Sequence, residues 1–393
     1  MNHKKKVGIV THYYNSINYG GNLQAYALVY KLRQLGYDAE QIPVNNIVQY
    51  VAVPLSFKQK IAERLKIGLW EFLKSLVLYI PHKIKNKKIN NLINNATNIR
   101  QKAIKDFNLS IPHNYKILVT NQNNCSDLGY DAYITGSDQV WNPECYCKEY
   151  FLGFVPSDKI KISYAASIGK NSLTDEEKQI FKEKLQDFSA ISVREKQDID
   201  LIKDSSPCKP VLTLDSTLLL DIEEWDSITE KRLVEVKYIF CYFLGGKANN
   251  RKLVKQFAKL KGYKIVTLPH LVEFVKADEK FGDIKLYDIS PTQFLSLIKY
   301  AEYVFTDSFH AVVFSSIFKK QYFVLNREEN KCMSSRIYNI TELTHNENRY
   351  CDNVDKENVQ YLLNQDDIDY SSKFDKLEKL KEFSIKFLTE NLG

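Results

Sequence analysis

An imidazole at the carboxyl end of a buried strand is a candidate ligand for an anion, and His310 stands in such a place. It lies within KYAEYVFTDSFHAVVFSSIFKKQYFVL, Lys299 to Leu325. Glu302 to Phe305 reads as a short buried strand, Thr306-Asp307-Ser308 breaks it, and Phe309 to Phe318 carries apolar residues at helical spacing. Gln321 to Leu325 reads as the next strand. With Asp307 as N-cap, His310 falls in the first turn of the helix. Open α/β sheets bind anions there, because unpaired N–H groups and the helix dipole both favour negative charge. A histidine that only hydrogen-bonds its own fold accounts for the same spacing.

Other residues at strand ends carry related chemistry. Arg194, in ISVRE, is suited to a bidentate clamp on phosphate or carboxylate, or to a salt bridge with a neighbouring acid. Asp138, in GSDQVW, could act as a base, bind hydroxyls or cap a helix, and Trp141 could stack on a sugar ring or fill core. Gly20-Gly21 lies where a missing Cβ admits a ligand or another backbone. Asn22 and Gln24 follow with amides suited to hydroxyls, although Gln24 could equally face solvent.

The elements that must position these groups alternate strand and helix. Val7 to Val10 predicts a strand, His12 to Gly21 a loop, Asn22 to Leu35 a helix closed by Gly36, and Ala39 to Ile42 a strand. Residues 57–107 interrupt the rhythm as a helical excursion. Within it Phe57 to Ile80 is basic and amphipathic, fit to pack on the protein or to lie in a membrane interface. Alternation resumes at Tyr130, with Thr174 and Glu177 at capping-box spacing. A second series starts at Tyr238 to Leu244, passes Gly245-Gly246-Lys247, and includes Pro291 at the first position of a helix. Two Rossmann-like domains facing a cleft follow, over 1–225 and 226–371, with a helix in 372–393 packing back across the interface.

Composition bounds the function. At 393 residues and 44% hydrophobic content the chain can form two cores, at roughly 100–200 residues per domain. A net charge of +7 suits anionic small molecules or an anionic membrane surface and falls short of a nucleic-acid footprint. Seven cysteines with no paired C-x-x-C spacing indicate neither a zinc site nor a disulfide framework, and point to a reducing cytosol. The N-terminal apolar run ends at Thr11, so it reads as a first strand rather than a signal peptide. No segment reaches the roughly 18 apolar residues of a spanning helix.

NYGGNLQAYAL (Asn18 to Leu28), TGSDQVWNP (Thr135 to Pro143), SYAASIG (Ser163 to Gly169), ISVRE and LDSTLLL (Leu214 to Leu220), together with TDSFHA and SRIYNI followed by Leu343 and Arg349, resemble the polysaccharide pyruvyl transferase family. The likeness runs from about residue 7 to about residue 350. It implies a fold similar to the glycosyltransferase-B type and transfer of the three-carbon unit of phosphoenolpyruvate onto two hydroxyls of one sugar. The acceptor it implies is a polysaccharide or a polyprenyl-diphosphate-linked precursor, with galactose bridged across positions 4 and 6 as the family-level expectation. The protein would then work in the cytoplasm, peripherally at the inner membrane's cytoplasmic face. Phosphoenolpyruvate would be a co-substrate, with no cofactor, metal or nucleic acid.

Such a reaction needs cations for phosphate and carboxylate, an acid for the methylene carbon and a base for the hydroxyls. The expected donor ligands are Arg194, His310, Ser308, Phe309, Lys247 and Arg336, with His310 as acid and Asp138 as base. A helix N-terminus lowers the imidazole pKa and a bound phosphate raises it, so donor binding could charge His310. Gly20, Gly21, Asn22, Gln24 and Trp141 are the expected acceptor ligands. The family carries an arginine two places before its histidine; here that place is Ser308, and Lys247, Arg336 or helix N–H groups would have to substitute. A glycosyltransferase with a nucleotide-sugar donor and a non-catalytic glycan-binding subunit are the alternatives.

Overall fold

The computed structural model describes residues 4–45, 69–116, 118–119, 128–327, 331–351, 359–371 and 374–393. The first half supplies β1 (Lys6–Val10), β2 (Asp38–Gln41), β3 (Val44–Asn45), β4 (Leu118–Val119), β5 (Ala132–Asp138), β6 (Ile160–Ala166), β7 (Ala190–Val193) and β8 (Val211–Leu212). The second half supplies β9 (Tyr238–Tyr242), β10 (Lys264–Thr267), β11 (Ile284–Lys285), β12 (Tyr303–Thr306), β13 (Gln321–Leu325) and β14 (Tyr350–Cys351). Twelve of them form two six-stranded parallel sheets, ordered β2-β1-β5-β6-β7-β8 and β11-β10-β9-β12-β13-β14, and β3 pairs with β4 in a separate two-stranded sheet. Helices cover both faces, so central strands such as β5 and β9 are buried along their whole length.

In each sheet the strand order reverses once, between β1 and β5 in the first and between β9 and β12 in the second. A crevice opens at the carboxyl ends of the strands at such a reversal, which is where doubly wound sheets bind ligands. Asp138 ends β5, and His310 follows β12. The α/β class with two facing Rossmann-like sheets is therefore as the sequence predicts.

The helices are α1 (Tyr19–Gln34), α2 (Leu69–Ser110), α3 (Asp175–Lys184), α4 (Lys196–Ile202), α5 (Ile222–Asp226), α6 (Ala248–Lys261), α7 (Pro291–Lys299), α8 (Phe309–Ile317), α9 (Lys331–Leu343), α10 (Val359–Leu363) and α11 (Asp375–Leu392). Capping boxes start α3 at Thr174/Glu177 and α7 at Ser290/Gln293. Two starts differ from expectation. The Asn18 side chain accepts from the Gly21 amide and caps α1, so Gly20 and Gly21 lie in its first turn and not in a loop. Ser308, not Asp307, holds the N-cap position of α8, because the Asp307 carboxylate is drawn to the Leu244 and Gly245 amides, 2.7 Å from each.

Phe57 to Ile80 lies outside the described residues as far as 68, and only the helical backbone is described from 69 to 80. Farther along α2, buried Arg100 donates to the carbonyls of Pro269 (3.1 Å) and His270 (3.5 Å), and Asn108 donates to the Tyr13 carbonyl. One helix thus fastens to both halves. Between β8 and β9, buried Trp225 sets its ring edge-on to Phe314 of the second half at 4.9 Å. Helix α11 returns to the first half, where Ser384 Oγ accepts from the Leu214 amide and Lys381 pairs with Asp221. Tyr19 stacks on Phe294 at 4.8 Å and donates to the Ile289 carbonyl, so apolar packing runs unbroken between the sheets. Among the described residues no helix is long and apolar enough to cross a membrane.

Candidate functional site

The two crevices close on one buried cluster centred on Asp215, just beyond the end of β8. Its Oδ1 accepts from the Thr217 amide and hydroxyl, and its Oδ2 accepts from Ser137 Oγ and Arg194 Nη1, each at 2.8 Å. His310 Nε2 approaches the same Oδ2 from the second half, at 3.7 Å. Arg194, one residue past β7, also meets Glu195 Oε1 through Nε at 2.9 Å and Asp138 Oδ1 through Nη1 at 3.6 Å. Its guanidinium lies over the Phe309 ring, 4.5 Å from the centroid, in a second contact between the halves.

Backbone geometry fits the chain to this arrangement. Asp138 holds φ at 72°, in the left-handed region that aspartate tolerates better than most residues. Its carboxylate accepts from the Gln139 amide at 2.9 Å. Gly20 is required by contact: a Cβ there would overlap Nδ1 and Cγ of His310 and reach within 2.8 Å of Cε1. The imidazole therefore rests against the first turn of α1, with Nε2 turned to Asp215.

The electrostatics of the cluster are set by crowding. Burial works against ionised Asp138, but Arg194, His310 and His12 outweigh it and hold its carboxyl below the ordinary carboxylate value. Burial is likewise overcome at Asp215 by His310 and Arg194, which hold that carboxyl well below its usual range. At Arg194 burial opposes the charge, and Glu195, Asp215 and Asp138 more than restore it. Burial lowers the pKa of His12, which accompanies Asp138 and contacts the Gln139 carbonyl through Nε2 at 3.1 Å. Arg336, from α9, is pushed downward by burial and then by the Arg194 cation, so two guanidinium groups crowd one place.

Arg194, Asp215, Phe309 and Arg336 line one end of a cavity of about 440 Å³ between the halves and α11. Arg194 Nη2 and His310 Nε2 are buried and make no hydrogen bond among the described residues, in two residues that are each over nine-tenths buried. Buried donors without acceptors are costly, and two of them from opposite halves suit an anion that brings its own oxygens. Among the described residues no group of three or more His, Cys, Asp or Glu side chains is arranged to hold a metal ion.

Of the residues singled out from sequence, Arg194, Asp138, His310, Phe309, Arg336 and Gly20 meet here. Ser308 is buried beside them but makes no cap with its side chain. Lys247 is half-buried at the start of α6, on the loop after β9. Three expected acceptor ligands are turned inward instead. Trp141 stacks on Phe151, is edge-on to Phe181 and Phe188, and donates Nε1–H to the Tyr150 carbonyl, so it fills core. Asn22 spends its amide on Ser16, Asn18 and Asn108. Gln24 is fully buried, not solvent-facing, and donates to Thr11 and the Gly21 carbonyl. Gly21 is packed against the His12 carbonyl. His12 and Glu195 are not among the residues singled out from sequence. The acid beside the arginine in ISVRE and the histidine just after β1 were the available signals.

The family profile described as polysaccharide pyruvyl transferase matches residues 18–329. That span holds Gly20, Asp138, Arg194, Asp215 and His310 and stops short of Arg336. No curated protein matches the chain. Among solved structures, a UDP-GlcNAc 2-epimerase from Methanocaldococcus jannaschii is similar at 11% identity and a TM-score of 0.53, covering 99% of this chain and 100% of that one. The S. aureus MnaA–UDP co-structure is similar at 12% identity and a TM-score of 0.50, covering 98% and 95%. These likenesses show the glycosyltransferase-B-like fold alone.

Proposed function

The chain belongs to the polysaccharide pyruvyl transferase family, and from that premise we propose that it moves the enolpyruvyl unit of phosphoenolpyruvate onto two hydroxyls of one sugar, leaving a pyruvate ketal and inorganic phosphate. The observation that carries the reading is the pair of buried, unanswered donors, Arg194 Nη2 and His310 Nε2, beside a second guanidinium at Arg336. Phosphoenolpyruvate has two anionic ends, and two arginines from opposite halves supply a cation for each. Arg336 takes the place of the arginine missing at Ser308.

In this scheme His310 Nε2 gives its proton to the methylene carbon, which becomes the methyl group of the ketal. Positive charge develops at the neighbouring carbon, where the ionised Asp138 and Asp215 stabilise it. One sugar hydroxyl adds there and passes its proton to Asp138, which hands it on to the neutral His310 and so resets both groups. The carbon–oxygen bond to phosphate then breaks, the second hydroxyl closes the ring, and its proton leaves with phosphate. A low pKa makes Asp138 a weak base while Arg194 is shared with it. Donor binding draws Arg194 toward phosphate and raises that basicity. The acceptor approaches over residues 12–18, beside Gly20, since Asn22, Gln24 and Trp141 are committed elsewhere. A galactose bridged across positions 4 and 6, free or polyprenyl-linked, is the first acceptor to offer.

The test is phosphate release from phosphoenolpyruvate with a panel of free and polyprenyl-diphosphate-linked sugars. His310→Ala, Arg194→Met and Arg336→Met should each abolish acceptor-dependent release while circular dichroism confirms folding. Stabilisation by a nucleotide sugar, with no release for any acceptor, would overturn the proposal in favour of glycosyl transfer.

A further inference from the structure

Behind Arg194 lies a pair of carboxyl groups that the scheme above does not use. Glu195 precedes α4 and Asp198 stands three residues on, in its first turn; they are 1% and 0% exposed. Glu195 Oε1 accepts from Arg194 Nε at 2.9 Å, and Asp198 Oδ2 accepts from the Ile168 amide at 3.0 Å. The remaining oxygens, Glu195 Oε2 and Asp198 Oδ1, are buried and have no donor among the described residues. Two neighbouring acceptors that both lack a donor are satisfied together by one proton. The charged groups acting on Asp198 agree: burial and Glu195 raise its pKa well above the ordinary value, and Arg194 opposes them without prevailing.

We propose that Glu195 and Asp198 share a single proton between Oε2 and Oδ1, and that this proton makes them a positioning pair for the donor-binding Arg194. It lets Glu195 brace Nε, so that the guanidinium keeps its place at the wall of the cavity. It also limits the charge behind the arginine. With the proton in place, Arg194 and Arg336 stand against Asp138, Asp215 and the one charge of the pair. Without it a further negative charge faces an incoming anion. The inference rests on the reading that Arg194 receives the anionic donor, and it assigns that site a dependence on pH. Loss of the proton weakens donor binding from behind.

Asp198→Asn is the informative variant. Its amide oxygen still accepts from Ile168 and its NH₂ group donates to Glu195, reproducing the protonated state at every pH. Donor affinity is measured calorimetrically with phosphoenolpyruvate across the pH range in wild type and variant. Ionisation of the ligand is common to both proteins, so their difference isolates the pair. The expected result is equal affinity at low pH. Toward alkaline pH wild type should weaken roughly tenfold relative to Asp198→Asn, which corresponds to about 1.4 kcal/mol of repulsion between like charges in the protein interior. Superimposable profiles would overturn the positioning role. The proton has its own readout, the infrared carbonyl band of a buried carboxylic acid, present in wild type and lost in Asp198→Asn; identical spectra would overturn the shared proton. Absence of phosphoenolpyruvate binding to wild type at any pH would instead refute the donor reading and the positioning role with it, leaving the infrared difference to decide the proton.

Discussion

Gly20→Ala tests whether the site is assembled by contact between the halves. The added Cβ would overlap Nδ1 and Cγ of His310 and come within 2.8 Å of Cε1. Carbon atoms in contact settle at about 3.5 Å or more, so the ring must retreat by about an ångström. His310 cannot retreat freely, because Nε2 already faces Asp215 and its own helix α8 is buried from His310 to Ser316. A displacement of about 1 Å in a reacting group lowers rate by about 10²-fold, or about 2.7 kcal/mol in activation free energy. The stability change should be smaller. Overpacking costs about 1–3 kcal/mol, and replacing glycine by alanine in a helix returns about 1 kcal/mol. The assays are kcat/KM for acceptor-dependent phosphate release and a double-mutant cycle in chemical denaturation with His310→Ala. In the His310→Ala background the clash is gone, and Gly20→Ala should be neutral or stabilising. Stability effects that add within about 0.5 kcal/mol, or near wild-type turnover in Gly20→Ala, would refute the contact argument.

Asp215→Asn should cost about 3 kcal/mol or more, because it strips the central charge from a buried ion-pair network. The Asp215 pKa is lower folded than unfolded, so its contribution is full above the unfolded value of 3.8 and is lost as pH falls below it. Stability measured against pH should therefore fall less steeply on the acid side in the variant than in wild type; equal slopes would count against the assignment. Trp141→Ala should cost about 3–5 kcal/mol in denaturation while leaving the acceptor KM of the folded protein unchanged, whereas a raised KM would restore a sugar-stacking role. Arg100→Met should cost about 2–3 kcal/mol, since it strands the carbonyls of Pro269 and His270, and an unchanged unfolding midpoint would show that α2 does not hold the halves together.

The sequence by itself determined what depends on neighbours along the chain. Strand runs such as Gln321 to Leu325, the capping boxes at Thr174 and Ser290, and the parallel α/β class follow from local periodicity and polar caps. Short motifs carried the family. His310 was legible as a helix-start residue, and Arg194 as an arginine at a strand end, because both signals are local. Side-chain direction was not. An amide after a glycine pair looks the same whether it meets a sugar or a buried carbonyl, and only packing turned Asn22 and Gln24 inward. Trp141 found three phenylalanines, two of them 40 or more residues away, and that non-local apolar burial outweighed exposure in a cleft. The tertiary structure also decided that Asp215 is the centre of the site. Its partners at 137, 194 and 310 lie far from it in the chain, and no spacing encodes their meeting. The same folding brought Arg336 and Arg194 together, because closing two sheets on one cleft places charges by shape, at a Coulombic cost that an anionic ligand would relieve.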